Sequence, residues 1–415
     1  MYWNCALNPS KKPIDLTTQG QEKIGMAEAN KSKETAGCVL WIIIICIGVG
    51  FCQKSTKQPA TEINPQQPTL ANQTTPVQTV TQSTSEPTDP NTQLQWGAAY
   101  YNGVGVPQDY ERAFKWIEKA ALQNNNNAQF LLGVMYDEGQ GVTPDQNKSI
   151  EWKMRAAQQG LAVAQNNIGF IYENGLGVPQ NYEIAASWFQ AAANQGDADA
   201  ENNLGIIYEY GRGVPQDYAR AAPWFQAAAI QGDADSQNSI GTLYDNGLGV
   251  PQDHTQAVLW YQKAAEQNNA NAQYNLGLAY YEGQGVSQNY ETAIVWYEKA
   301  ANQGNADAQN NLGIIYEYGR GVPQDYIKAA ELYQKASYQG ETAAQRNLGR
   351  AYLNGIGVPK NYVQAYAWLN IAAAAGDTEA ERVRNAIEYS LTPKERLDVQ
   401  QLSQKLFEKI QKKPK

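Results

Sequence analysis

DADAENNLGIIYEYGRGVPQDYARAAPWFQAAAIQG, residues 197–232, contains one complete copy of a unit that recurs through most of the chain. Ala200, Leu204, Ile207 and Tyr208 fall at helical spacing and define one apolar face. Asp197 or Asp199 stands ahead of them, where a short carboxylate can accept the unpaired N–H groups of a helix start. Gly205 lies on the apolar face and lets a neighbouring helix come close, at a cost of about 1 kcal/mol relative to Ala. Gly211-Arg212-Gly213 ends the helix, and Val214-Pro215-Gln216 makes a short turn. Asp217 then caps a second helix whose apolar face is Tyr218, Ala221, Phe225 and Ala228, with small alanines suited to close helix packing. Pro223 falls inside that second helix, removes one backbone hydrogen bond and predicts a kink.

Moving outward, the unit repeats every 36 residues without insertion. One glycine column is Gly105, Gly141, Gly177, Gly213, Gly249, Gly285, Gly321 and Gly357. A second runs from Gly97 to Gly349 and a tyrosine column from Tyr100 to Tyr352, both with the same period. The second-helix cap is Asp or Asn in all eight copies: Asp109, Asp145, Asn181, Asp217, Asp253, Asn289, Asp325 and Asn361. Several columns in register over eight copies predict an all-α solenoid of eight 36-residue helix pairs. No pair can bury its apolar face alone, so stability must come from stacking neighbours. The tryptophans Trp116, Trp152, Trp188, Trp224, Trp260, Trp296 and Trp368 form another column, broken by Leu332, and are expected to pack between repeats. His254 takes a place that is Tyr in other copies and is expected to pack.

Five zones follow from composition. Residues 1–36 carry Lys11, Lys12, Lys23, Lys31 and Lys33 without an amphipathic period and read as a disordered tail. Residues 37–52, GCVLWIIIICIGVGFC, are uncharged and apolar. As a helix they would be roughly 24 Å long at ~1.5 Å per residue, short of a ~30 Å hydrocarbon core, and Lys33, Lys54 and Lys57 could snorkel to the headgroups. A transmembrane helix or signal anchor over 37–53 is expected. Residues 54–91 are rich in Thr, Gln and Pro and read as a disordered tether, with a reach of roughly 35 Å. The repeats occupy 92–376. Residues 377–415 read as capping helices and a tail, with helices over Asp377–Tyr389 and Thr392–Ile410. Thr392-Pro393-Lys394-Glu395 has the form of a capping box with Pro at the first helical position.

The frame A-x-N-x-L-G-x-x-Y-x-x-G-x-G-V-P-Q-D-Y-x-x-A-x-x-W-x-x-x-A-A-x-Q-G resembles the Sel-one-like repeat (SLR) family, related to the tetratricopeptide repeats. The resemblance covers 92–376 and extends to Trp368, Ala372, Ala373, Gly376 and Asp377. It implies an α/α right-handed superhelix whose first helices line a concave surface. It also implies adaptor work: assembling membrane complexes, quality control, signalling or host contact. Some cysteine-rich bacterial members of the family pair a Cys in each helix and are linked to β-lactam binding or hydrolysis. Here Cys5, Cys38, Cys46 and Cys52 all precede the repeats, against that activity.

By the same resemblance the inward positions of the first helices form ladders. One is Asn167, Asn203, Ser239, Asn275, Asn311 and Asn347, and its neighbour is Asn166, Asn202, Asn238, Tyr274, Asn310 and Arg346. Carboxamides donate and accept, which suits the backbone of a bound peptide; they can equally bond one another. Asp137, Glu173, Glu209, Asp245, Glu282 and Glu317 form an acidic ladder that would favour a basic partner or serve as a solvated face. Residues 202–218 and 310–326 are identical, NNLGIIYEYGRGVPQDY. They suggest two equivalent pockets around Asn203/Tyr210 and Asn311/Tyr318, or simply a duplication.

The net charge is −9, and residues 58–392 carry 18 basic against 34 acidic residues, which disfavours nucleic acid. One histidine excludes most His-based metal and base sites. Phosphate-loop, G-x-S-x-G and S-x-x-K motifs are missing, and the G-x-G turns precede second helices with no preceding strand. The expectation is therefore a non-enzymatic scaffold for a protein or peptide, basic in character, without cofactor, metal or small-molecule substrate. The alternatives are a β-lactam-hydrolysing enzyme and a structural envelope protein with no specific client. Five lysines before the apolar run and two after it predict a cytoplasmic N-terminus. That makes a single-pass inner-membrane protein with periplasmic repeats. Two further readings are open: Met26 as the start, with the run as a signal sequence of a secreted protein, and Val49-Gly50-Phe51-Cys52 as a lipoprotein box acylated at Cys52.

Overall fold

The computed structural model describes residues 86–412. The expected tail, the expected anchor over 37–53, all four cysteines, Met26 and the expected tether up to residue 85 lie outside the described residues. Among the described residues no helix is long and apolar enough to cross a membrane.

The described chain is all-helical, with 18 helices and no strand. Eight pairs follow one another: α1 (Pro90–Asn102) with α2 (Tyr110–Leu122), α3 (Asn126–Glu138) with α4 (Gln146–Gln158), α5 (Ala162–Asn174) with α6 (Tyr182–Ala193), and α7 (Ala198–Tyr210) with α8 (Tyr218–Gln231). Then come α9 (Ala234–Asn246) with α10 (His254–Glu266), α11 (Ala270–Glu282) with α12 (Tyr290–Asn302), α13 (Ala306–Tyr318) with α14 (Tyr326–Tyr338), and α15 (Thr342–Asn354) with α16 (Tyr362–Ala374). Two further helices, α17 (Thr378–Glu388) and α18 (Pro393–Gln411), close the chain. The described residues divide into two compact units, one up to Ala200 and one from Glu201 onward.

Helices this short are marginal alone, so caps and packing decide them. All eight second helices start on the expected column: each Asp or Asn side chain accepts the N–H three residues on, as Asp253 does from Gln256 at 3.0 Å. The same residue donates its own N–H to the tyrosine-column carbonyl nine residues earlier, from Asp109 to Tyr100 through Asn361 to Tyr352. One residue thus starts the second helix and ties it to the first. First helices have a cap column of their own, Asp89, Asn125, Asp197, Asp233, Asn269, Asn305 and Glu341. Leu161 breaks it and makes no side-chain cap bond.

The glycine columns have two different uses. Gly205 faces the buried Phe225 ring, and a Cβ there would stand 2.7 Å from Cδ1; Gly313 faces Tyr333 and Gly277 faces Tyr297 in the same way. Every member of the Gly105 column has positive φ. A Cβ on Gly141, Gly249, Gly285 or Gly357 would collide with backbone at the start of the preceding pair's second helix. The Gly97 column sets spacing within a pair, and the Gly105 column sets spacing between pairs. Gly105, with no pair before it, has open space at the same point.

Ala200, Leu204, Ile207, Ala221, Phe225 and Ala228 are fully buried, as the spacing predicts, whereas Tyr218 is only half-buried. Each large apolar side chain taken from water this way contributes about 1.5–3 kcal/mol. Clusters run across pair boundaries: Leu94 and Ile117 of the first pair pack with Leu131, Leu132 and Met135 of the second, and Trp152 of the second packs on them. Trp368 is buried, but Trp116, Trp152, Trp188, Trp224 and Trp296 are only half-buried, and Lys or Arg lies over four of the seven, as Lys299 does on Trp296 at 3.8 Å. Helix α8 runs unbroken through Pro223, which sits on its exposed side. At the C-terminus α18 begins with the expected capping box and Pro393, and it buries Leu406 against Trp368 and Ile371.

Candidate partner-binding face

In each first helix, the second, fifth, ninth and twelfth positions share one side, at spacings of three and four residues. In the unit 201–415 the ninth position gives Ile206, Thr242, Leu278, Ile314 and Arg350; all but the exposed Arg350 are half-buried. The twelfth gives Glu209, Asp245, Tyr281 and Glu317, and the second gives Asp235, Asn271 and Asp307. The turn glutamine fixes the backbone of the twelfth position: Gln216 Nε2 donates to Glu209 O, Gln252 to Asp245 O and Gln324 to Glu317 O, each at 2.8 Å.

The amide ladders largely bond across to the next pair. Asn275 Nδ2 donates to Asn238 Oδ1 at 2.9 Å, and Asn347 Nδ2 donates to Asn310 Oδ1 at 3.0 Å. Ser236 Oγ donates to Asn202 Oδ1 at 2.9 Å, and Asn311 Nδ2 donates to Tyr297 Oη at 3.2 Å. Asn310 is buried, Asn202, Asn203, Asn275, Asn311 and Asn347 are half-buried, and Asn167 Oδ1 is buried without a hydrogen-bond partner. Asn275, Asn311 and Asn347 therefore hold register between repeats.

The acidic ladder is tied to the second helices. Lys153 pairs with Asp137, His254 Nδ1 lies 2.7 Å from Asp245 Oδ1, and Tyr333 Oη donates to Glu317 at 2.6 Å. His254 is thus a polar partner at the mouth of a pair. Burial raises Glu209 from the usual carboxylate range to about 7, with Arg212 pulling the other way. Burial and the Glu317 carboxylate push the Tyr333 hydroxyl upward.

The two identical segments do not make identical surroundings. Tyr333 lies on Gly313 and reaches Glu317; Phe225 lies on Gly205 and has no hydroxyl to offer Glu209. Arg320 stands between the rings of Tyr281 and Tyr318 and bonds the Tyr281 hydroxyl, while Arg212 lies over Tyr210. Tyr318 is 55% exposed and Tyr210 39%. A cavity of about 40 Å³, water-sized, lies between Glu317, Tyr333, Asn347 and Arg350. Among the described residues no group of three His, Cys, Asp or Glu is placed to hold a metal ion.

A further ladder, of glutamines, was not anticipated from the sequence. Buried glutamines at the fourth position of the first helices, Gln129, Gln165, Gln237, Gln273, Gln309 and Gln345, each donate to the carbonyl eight residues earlier in the preceding pair. All but Gln345 also accept from a glutamine 30 residues on, as Gln273 does from Gln303 at 2.8 Å. Glu201 replaces glutamine once and accepts from Gln231 at 2.8 Å. The signal was available as two glutamine columns 30 residues apart.

The Sel1 repeat family model matches eight consecutive segments, 90–125, 126–161, 162–197, 198–233, 234–269, 270–305, 306–341 and 342–377. Among known structures, the chain is similar to a Sel1 repeat protein from Oxalobacter formigenes, with 32% identity, a TM-score of 0.56, and coverage of 72% of this chain and 88% of that one. It is also similar to c5321, a protective antigen of uropathogenic Escherichia coli with an SLR fold, at 35% identity and a TM-score of 0.43, over 77% of this chain and 84% of that one. No curated protein matches the sequence. The matches point to a protein-interaction repeat and indicate no catalytic family.

Proposed function

The chain belongs to the Sel1 repeat family, and from that premise we propose that it is a membrane-tethered adaptor that binds a partner protein along the first-helix side of its repeats. In the family's superhelix this is the concave side. One observation carries the reading: the ninth positions leave Ile206, Leu278 and Ile314 half-exposed between polar flanks, on helices held in register by bonds between their amides. Around that stripe, Asn203, Glu209, Tyr210, Glu317 and Tyr318 offer the contacts for a partner; Asn202, Asn275, Asn310, Asn311 and Asn347 support the surface beneath. The partner is a protein or peptide of basic character.

Residues 37–53 serve as the membrane segment, and the repeats lie on the outer side, in the periplasm of a bacterium. The lysine asymmetry around the apolar run supports this orientation.

Site-specific photo-crosslinking tests the binding side. A photoreactive residue at Leu278 should capture a discrete partner in intact cells, and one at Leu259, 48% exposed on α10, should not. Equal capture at both positions, or none at Leu278, overturns the assignment. Turnover of a β-lactam by the purified chain would return the enzyme alternative. An alkaline phosphatase fusion after residue 91 should be active; an inactive fusion, with a cytoplasmic reporter active at the same junction, would place the repeats inside.

A further inference from the structure

We infer that the first-helix side of residues 201–345 takes an amphipathic basic segment of a partner protein, with apolar side chains on the central stripe and Lys or Arg on both flanks. The inference rests on the binding side proposed above and adds the chemistry of what binds.

The stripe is Ile206, Thr242, Leu278 and Ile314, one residue from each of four successive pairs. Leu278 and Ile314 rest one side on the core beneath and leave the other open, so the row offers further burial to a partner; in the last pair Arg350 occupies the same position and stands exposed. Acids run along either side of the row. Asp235 and Asp307 lie seven residues before their stripe residues, Thr242 and Ile314, two turns away on the same side. Asp245 and Glu317 lie three residues after theirs. Asp245 and Glu317 meet side chains of their own pair, His254 and Tyr333, which approach from the second helix, and Asp235 accepts from Asn269 Nδ2 at 2.7 Å, so these carboxylates are fixed at the rim of the stripe. A segment with an apolar ridge alone would leave the carboxylates on both flanks, interrupted at Asn271 and Tyr281, facing uncharged surface. A purely basic one would leave the aliphatic row in water. Only a segment carrying both matches the whole strip, and charge complementarity would also speed its approach.

The strip has an end. In the last pair Arg346 is held by Asp377, and Arg350 replaces the aliphatic group. Cationic side chains of the bound segment therefore stop before residue 346.

The test uses the full-length chain and a fluorescein-labelled 18-residue helical peptide with Leu at i, i+3, i+4 and i+7 and Lys elsewhere. Two control peptides replace every Lys by Glu or every Leu by Ser. The parent peptide should bind, and each control should bind at least tenfold more weakly. Leu278→Ser with Ile314→Ser should weaken the parent peptide tenfold or more, and Leu259→Ser on the other side should leave it unchanged. Should the double variant lose helicity, Asp235→Asn with Asp307→Asn supplies the second arm: about fivefold weaker binding and a shallower salt dependence. Equal binding of either control peptide, or unchanged affinity of a folded variant from each arm, overturns the inference. If the Leu278 crosslink captures a partner through a segment neither basic nor apolar, the binding side stands and this inference falls.

Discussion

Gln273→Glu isolates the buried glutamine ladder in one nearly isosteric change. Gln273 is 1% exposed. Its amide nitrogen donates to Ala265 O at 3.2 Å and to Asn268 Oδ1 at 3.1 Å, and its oxygen accepts from Gln303 Nε2 at 2.8 Å. A carboxylate keeps the bond from Gln303, as Glu201 keeps the one from Gln231. The cost falls on the other side, where an oxygen would face two oxygens. Two lost hydrogen bonds at about 1 kcal/mol each, with about 1–3 kcal/mol for buried acceptors left unpaired, give a loss of about 3–5 kcal/mol. Typical folded domains hold only about 5–15 kcal/mol in total. The loss should depend on pH. Burial beside acceptors raises the folded pKa of the introduced carboxyl above its unfolded value of about 4.3. Stability is then highest below that value, where the protonated acid can donate again, and falls as pH rises through the folded pKa. Urea unfolding followed by tryptophan fluorescence at pH 4 and pH 8 measures both effects. A variant that unfolds at the parental urea concentration at pH 8 would show that the ladder contributes nothing to stability.

Burial raises Glu209 to about 7, so in the parent this group favours folding below about pH 4.5, and that contribution is lost as pH climbs through 7; Glu209→Gln should match the parent at pH 4.5 and exceed it at pH 8 in the same urea assay. Gly141→Ala should cost well over 3 kcal/mol, because left-handed strain of about 1–2 kcal/mol adds to a collision with Tyr110 backbone, whereas Gly160→Ala should show the strain alone, since nothing lies within 4 Å of the added carbon; thermal melts of the two compare them directly. Asp253→Ala removes the cap bond to Gln256 and should destabilise α10 by about 1 kcal/mol, visible as faster amide exchange over its first turn.

The repeat was legible because each of its decisions uses a residue with few other uses. A glycine with positive φ, an Asp or Asn cap and an alanine on a packed side read the same way in eight copies, and Asp217, Gly213 and Ala221 behave as their spacing says. Glutamine carries no such signature. Gln273 looks like surface in any window, and its burial follows from a carbonyl in the preceding pair that sequence does not place. The amide ladder was visible as a column, but a column cannot say where a donor points. Amides of the two adjacent columns, 37 residues apart, come within reach of one another once the pairs stack, so Asn275 finds Asn238. The acidic ladder turned on residues elsewhere in each repeat, Lys153, His254 and Tyr333, whose variation makes each carboxylate's surroundings different. The half-exposed stripe of Ile206, Leu278 and Ile314 was hidden because an aliphatic residue near a core column reads as core.

The reach of the buried glutamines also bears on how such a chain can change in length. Each bonds the pair before, and all but Gln345 bond a glutamine within their own pair. Excising residues 270–305 would join Asn269 to Ala306 and bring Gln309 to the carbonyl of Ala265, which Gln273 uses in the intact chain. Every donor would find an equivalent acceptor, and no side chain would need to change. An excision of 35 or 37 residues would misplace all of them together. Copy number is therefore free to drift in whole steps while phase is locked, except at the last pair. There Ala375 stands where a glutamine would be, and Gln345 Oε1 is left buried without a partner. That unanswered oxygen marks where the array stops accepting further copies without a change of sequence.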